Sequence, residues 1–325
     1  MELIYLSRRD VEDVGMTMAE VLEVLDGGFR LKGLGKTEMP PKPGIHPRPD
    51  CFIHAMPAYV AGIDAAGLKW VSGYPPNPAV DLPYISGLIV LNDAGSGLPI
   101  AVMDAAWITA MRTGASAGIS AKYLAVADSS VAAIIGCGVQ NRCSLAALRE
   151  TLPQLREVRC YDVLPEAGRH FVAEMLERFP DLAFVVCESA PEAVRPADVV
   201  VTAIPIVLAP QPDLEAGTLK EGALAVSLDY DSAWSSEAMR ECDRFCSDDV
   251  SQLLATKAQG HYFSGIPDTI CADLGELAAH LKPGRESATE RIFSMNMGIA
   301  VDDIVTAHAV YERALTAGVG LRLPL

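Results

Sequence analysis

Val131–Gln140, VAAIIGCGVQ, is the stretch whose reading decides the fold. Val131 to Ile135 is an unbroken apolar run, the pattern of a strand covered on both faces. Gly136-Cys-Gly138 follows at once, and Val139 to Glu150 then has good helix-forming character. Strand, glycine turn and helix start together make a dinucleotide-binding arrangement. Gly136 permits the sharp turn, and Gly138 lets backbone approach a pyrophosphate. The helix N-terminus presents free N–H groups and a favourable dipole to phosphate. Asn141 stands where the third glycine of the fingerprint would be.

Outward from this stretch, Val158-Arg-Cys-Tyr-Asp162 reads as a second strand ending in an acid. A carboxylate at Asp162 suits the hydroxyls of an adenosine ribose and repels a 2′-phosphate, so NAD(H) is expected over NADP(H). A glycine turn beside a capping Asp is the plainer alternative. Further apolar segments alternate with helical ones: Ala183–Cys187, Val199–Ala203, Ala223–Leu228 and Arg244–Cys246. Such alternation predicts a parallel sheet with helices on both faces. A last helix is expected near Ser294–Thr316.

Before residue 130 the pattern differs. Met18, Val21, Leu22, Leu25 and Phe29 fall on one helical face within residues 10–32, interrupted by Gly27-Gly28. Glu38 to Asp50 is proline-rich and reads as extended loop. Strands are expected at Cys51–Met56, Gly67–Ser72, Ile85–Leu91 and Leu98–Met103. The last two join through the hairpin signal Asn92-Asp-Ala-Gly-Ser-Gly97. Ala105–Ala125 is Ala-rich and helical in character.

The chain has 325 residues, half of them apolar, enough for two domains with cores of their own. A formal net charge of −16 argues against nucleic acid or an anionic membrane as partner. No signal-peptide pattern opens the sequence, and no apolar run reaches membrane-spanning length. The eight cysteines form no Cys-x-x-Cys pair, so reduced thiols in a cytoplasmic protein are expected, with no metal.

Candidates for chemistry lie mostly away from the glycine turn. Lys69, in Gly-Leu-Lys-Trp-Val, sits in a strand, where burial would lower its pKa toward a range useful for proton transfer. An exposed strand-edge lysine is the alternative. Arg48 and Arg112 are guanidinium candidates for clamping a small acid, or surface ion-pair partners. Asp229 follows the strand Ala223–Leu228 at its carboxyl end, the edge where ligands sit in open α/β sheets. Asp231 competes with it for an acid/base role. Thr202 and Ala203 end another strand and are placed for a backbone contact to a cofactor. His54 reads first as a core histidine with a satisfied hydrogen bond.

Four motifs occur in order: His54-Ala-Met-Pro-Ala-Tyr59, Gly67-Leu-Lys-Trp-Val-Ser-Gly-Tyr-Pro75, Thr109-Ala-Met-Arg-Thr-Gly-Ala115 and Ile135-Gly-Cys-Gly-Val-Gln140. With them the chain resembles the ornithine cyclodeaminase/mu-crystallin family from Arg48 to the helix around Gly298. The resemblance implies an α/β protein with a Rossmann-type parallel-sheet domain, residues 119–304. It also implies a split α+β substrate and dimerisation domain, residues 1–118 with 305–325. It implies NAD as cofactor and a homodimer, with Gly136, Gly138, Val139, Gln140, Asp162 and Met297 on cofactor positions. Lys69 matches the active-site lysine and Asp229 the acid/base aspartate. Arg112 and Arg48 match the arginines that hold the substrate carboxylate.

Two departures stand out. His54 replaces an acid that recognises the distal amine of ornithine. Leu228-Asp-Tyr-Asp231 replaces a Gly-Asp-x-Pro-Gly turn. The resemblance implies hydride transfer at an amino-acid Cα through an imine, foremost conversion of L-ornithine to L-proline and ammonia. The alternatives are a net redox enzyme (an L-alanine or other amino-acid dehydrogenase, or a cyclic-ketimine or pyrroline-2-carboxylate reductase) and a non-catalytic, mu-crystallin-like ligand-binding protein.

Overall fold

The computed structural model describes residues 2–325. The chain opens with β1 (Glu2–Leu6), α1 (Arg8–Asp13), α2 (Met18–Gly33), β2 (Thr37–Glu38) and β3 (Gly44–Ile45). Four longer strands follow, β4 (Phe52–Val60), β5 (Ala65–Gly73), β6 (Ile85–Asp93) and β7 (Pro99–Asp104), and then α3 (Ala106–Leu124). Next come β8 (Val131–Ile135), α4 (Val139–Thr151), β9 (Glu157–Tyr161), α5 (Pro165–Arg178), β10 (Ala183–Val186), α6 (Ala190–Val194) and β11 (Val199–Thr202). They are followed by β12 (Leu224–Ser227), α7 (Ser236–Arg240), β13 (Arg244–Ser247), α8 (Val250–Ala258), β14 (Ala272–Asp273), α9 (Leu274–Ala278) and β15 (Ile292–Met295). α10 (Ala300–Ala317) and β16 (Leu321–Pro324) end the chain.

These elements form two compact units, residues 1–112 with 299–325, and residues 113–298. The structure moves both expected domain boundaries earlier. The first falls within α3. The second falls just before α10, so the whole of that helix belongs to the first unit rather than being divided at residue 304. The physical reason is packing, because α10 lies along α2, β4, β5 and β6.

The sheet of the first unit runs β16-β1-β7-β6-β5-β4-β2, with β3 also on β4. β4 to β7 form an antiparallel meander, and β1 joins β7 in parallel. The hairpin between β6 and β7 closes where Gly97 takes φ +75° and donates to Asp93 O. The proline-rich segment is not pure loop, because β2 and β3 both pair with β4. Residues 10–32 are not one interrupted helix either. Gly15, at φ +73°, separates α1 from α2, and Thr17 and Glu20 cap α2 reciprocally. α2 then runs straight through Gly27-Gly28. A Cβ on Gly28 would lie 3.1 Å from Val305 of α10, so the missing side chain lets the two helices approach.

The second unit is a parallel sheet in the order β10-β9-β8-β11-β12-β15-β13-β14. Its central strands β11, β12 and β15 are buried at every position, as a sheet covered on both faces requires. The order reverses between β8 and β11, which defines a doubly wound, Rossmann-type fold with its ligand crevice at that switch point. Ile292–Met295 corrects the reading of Ser294 as a helix start, since it is strand β15. Short apolar runs of this length carry no period that separates strand from helix. Gly298 at φ +75° then turns the chain into α10.

Candidate active site

In the second unit the expected cofactor residues gather at the carboxyl edge of the sheet. Gly136 adopts φ +85°, and a Cβ there would lie 2.5 Å from Ala203 O, so this position admits only glycine. Gly138 is the N-cap of α4, without a side-chain cap, and open space surrounds the place of its absent Cβ. Val139 is 64% exposed at the first turn of the same helix, next to Gln140. The first turn of α4 thus has N–H groups without a side-chain cap beside an open glycine, the feature a pyrophosphate needs. Asn141 explains the missing third glycine. It is buried, and its Nδ2 donates to Ile135 O at 2.9 Å and Gly136 O at 2.7 Å, clamping the turn to its own helix.

Asp162 follows β9, and its carboxylate first of all holds this turn together. Oδ2 accepts from Cys137 N at 2.8 Å, and Oδ1 accepts from Leu164 N at 2.9 Å. Each oxygen keeps a further lone pair for another donor. Met297, after β15, is buried, and the adjacent Gly298 N donates to Asp248 Oδ2 at 2.6 Å.

Asp229 stands at the carboxyl end of β12 and is fully buried. Its Oδ1 accepts from Thr202 Oγ1 at 2.8 Å and Ser227 Oγ at 2.7 Å, and its Oδ2 accepts from Ile204 N at 3.0 Å. Burial raises its pKa to about 6 against these hydrogen bonds, which pull the other way. A carboxyl held there can exchange a proton near neutrality. The competitor Asp231 has a local structural task, because Oδ2 accepts from Phe263 N at 2.7 Å.

The first unit holds a second constellation. Lys69 of β5 is fully buried, and its Nζ donates to Asp303 Oδ1 of α10 at 2.7 Å. Arg112 of α3, 6% exposed, donates from Nε to the same oxygen at 2.9 Å. Burial and the neighbouring Arg112 charge lower the Lys69 pKa to about 7, against the raising effect of Asp303. His54 pairs with Val71 across β4 and β5, and Met56 pairs with Lys69, so the imidazole lies on the Lys69 face of the sheet. Its ring stacks on Phe52 at 4.3 Å and meets His46 edge-on at 6.3 Å. Burial, with the charges of Lys42, His46 and Lys69, holds its pKa down at about 3, so the ring is neutral. The expected core hydrogen bond is replaced by this stacking.

The family profile of ornithine cyclodeaminase and mu-crystallin matches residues 1–318. The chain belongs to the ornithine cyclodeaminase/mu-crystallin family. It is 37% identical to alanine dehydrogenase of Archaeoglobus fulgidus, over 99% of this chain and 98% of that one. Δ1-Pyrroline-2-carboxylate reductase of Thermococcus litoralis, solved with NADH and L-proline, is 33% identical with a TM-score of 0.88. The match covers 98% of this chain and 99% of the other. A lysine cyclodeaminase, solved for its recognition of L-lysine, L-ornithine and L-2,4-diaminobutyric acid, is 27% identical with a TM-score of 0.87. Here 100% of this chain and 96% of the other are covered.

Of the residues to which the family resemblance pointed, the structure brings Lys69 and Arg112 together on one carboxylate. It does not add Arg48. Flanked by Pro47 and Pro49, that side chain is exposed, and its Nη1 donates to Pro47 O at 2.8 Å. The third member of the array is Asp303, which sequence reading missed. Asp302-Asp303 inside an otherwise apolar helical stretch was the available signal, since an acid on a buried helix face needs a partner. Among the described residues, no group of three or more His, Cys, Asp or Glu side chains is arranged to hold a metal ion. No helix there is long and apolar enough to cross a membrane.

Proposed function

We propose that this chain is an NAD-dependent oxidoreductase that interconverts a small L-amino acid and its imine, open-chain or cyclic, with net redox change. The observation that carries this reading is the array of Lys69, Arg112 and Asp303, in which two buried cations share one carboxylate oxygen. With Lys69 protonated the array has surplus positive charge, which is unfavourable in an interior. A substrate carboxylate on Arg112 would balance it through charge-assisted hydrogen bonds. Lys69, near pH 7, would then give a proton to the imine nitrogen or take one from the amine.

In the second unit, Gly136, Gly138, Val139 and Gln140 would hold the pyrophosphate of NAD, and Asp162 the adenosine ribose, with Thr202, Ala203 and Met297 at the same sheet edge. The open space at Gly138 and the uncapped helix fit this cofactor. When bound, its nicotinamide supplies the hydride acceptor or donor for Cα. Asp229, whose buried carboxyl can exchange a proton near neutrality, is the acid/base candidate of this unit. The likeness to a relative solved with NADH and L-proline supports the same reading.

The surroundings of Lys69 favour net redox over cyclodeamination of ornithine. His54 is neutral, Lys42 adds positive potential, and Asp303 is engaged by Lys69 and Arg112. A distal ammonium would meet unfavourable potential there. Cyclodeamination remains the second reading, supported by the likeness to lysine cyclodeaminase. The chain would act as a homodimer in the cytoplasm, where its eight cysteines would stay reduced. The test supplies NADH with Δ1-pyrroline-2-carboxylate or with pyruvate and ammonia, and NAD⁺ with L-proline or L-alanine. A change in NADH absorbance is expected. Ammonia and proline from L-ornithine without net NADH change would replace this reading with the second.

A further inference from the structure

Asp303 occupies the first turn of α10, where the helix dipole favours a negative charge. The carboxylate is fully buried. Two donors from different elements, Lys69 Nζ of β5 and Arg112 Nε of α3, converge on its Oδ1 at 2.7 and 2.9 Å. Oδ2 has no hydrogen-bond partner among the described residues. Stability is a poor explanation for such an arrangement. Desolvating three charged groups generally offsets their mutual attraction, and apolar side chains of similar volume pack at least as well. The incomplete bonding of Oδ2 points the same way, because a structural ion pair gains most when every lone pair is satisfied.

What the arrangement does achieve is geometric and electrostatic. Convergence on one oxygen sets the separation and direction of the amine and the guanidinium. The charged or titratable groups around Lys69 are Arg112 of α3, Lys42 of the loop before β3, His54 of β4, and Asp303 with its buried neighbour Asp302 on α10. Arg112 and Lys42 disfavour a charged amine at Lys69, and Asp303 is the group that offsets them.

We propose that Asp303 is the positioning residue of this site, fixing Lys69 and Arg112 relative to each other and supplying the counter-charge that lets a buried Lys69 carry a proton. This rests on the function proposed above only for what the array acts upon. The test variant is Asp303→Asn, which keeps the shape and an oxygen acceptor while removing the charge. The Lys69 side-chain resonance, assigned through its loss in Lys69→Met, is followed against pH by NMR on the full chain. Turnover and NADH binding are measured in parallel.

In Asp303→Asn the Lys69 titration should move to lower pH by about one unit or more. Turnover should fall by about 10²-fold or more, KM for the carboxylate substrate should rise, and NADH affinity should stay unchanged. An unmoved Lys69 titration, or NADH binding lost in step with turnover, would overturn the proposal. If the titration moves but the unmodified chain turns over no amino acid or imine, the functional reading fails and the role of Asp303 toward Lys69 stands. Should Asp303→Asn not fold, Asp303→Glu decides, because it keeps the charge and displaces the oxygen. A near-normal Lys69 titration with turnover lost supports positioning, and full turnover refutes it.

Discussion

Lys69 shows how one residue can be read in sequence and still be decided by its surroundings. A lysine flanked by apolar neighbours in a strand is either buried or at an edge. The α10 helix resolves this by covering the face on which Lys69 lies. Lys69→Ala and Asp229→Ala should each abolish turnover and leave NADH binding nearly intact, as read by nucleotide fluorescence. Loss of binding in proportion to activity would make either residue structural. The Lys69 pKa also has a stability consequence of definite sign. It falls from 10.5 to about 7, so between these values the unfolded chain binds a proton that the folded chain does not. Stability from this group therefore rises with pH across that window, and the penalty is complete below about pH 7. Lys69→Met leaves Arg112 and Asp303 paired, and should raise thermal stability at and below neutral pH by about 1–4 kcal/mol. That advantage should vanish toward pH 10.5. At His54, a carboxylate in place of the neutral ring should favour an ammonium-bearing side chain. His54→Glu is expected to raise kcat/KM for L-ornithine relative to L-alanine by about tenfold.

At the scale of elements, the glycine turn between β8 and α4 gives two positions with opposite outcomes. Gly136 combines φ +85° with a Cβ site 2.5 Å from Ala203 O, whereas the Cβ site of Gly138 meets nothing within 4 Å. Gly136→Ala should therefore destabilise the fold by about 1–3 kcal/mol, visible as a lower Tm. Gly138→Ala should leave Tm nearly unchanged and weaken NADH binding by intruding on the pyrophosphate. Equal effects of the two on Tm would contradict this division. Asp162 belongs to the same element-level device, since it bonds the turn at Cys137 N. Asp162→Ser should weaken NADH binding and narrow the preference over NADPH, and a nucleotide titration of both forms checks it.

For the whole molecule, the outer face of the first sheet bears on assembly. Trp70 and Leu88 are directly paired across β5 and β6 and are 45% and 44% exposed. Leu68 and Val90, the next pair on that face, are partly exposed. In the homodimer proposed above, a contiguous apolar strip of this kind on a chain of net charge −16 is the surface a second copy would cover. Trp70→Glu combined with Leu88→Glu should shift the molar mass seen by light scattering from dimer to monomer. A monomeric unmodified chain would remove this assignment.

The sequence by itself determined the fold class of the second unit, its glycine turn and six of its strands. A parallel sheet buried on both faces demands continuous apolar strands, and a phosphate-binding turn demands glycine where φ is positive, so Val131–Gly138 could be read without its partners. It also exposed Lys69, Arg112 and Asp229 as candidates, because charged residues within apolar runs need an explanation. Tertiary structure alone decided what those residues touch. Asp303 lies 234 positions from Lys69 and 191 from Arg112, and no local period records a pairing across such distances. It likewise separated Arg48 from the array, turned Ile292–Met295 into a strand, and closed α2 onto α10 at Gly28. Each outcome depends on which surfaces become buried together, and burial is a property of the folded chain.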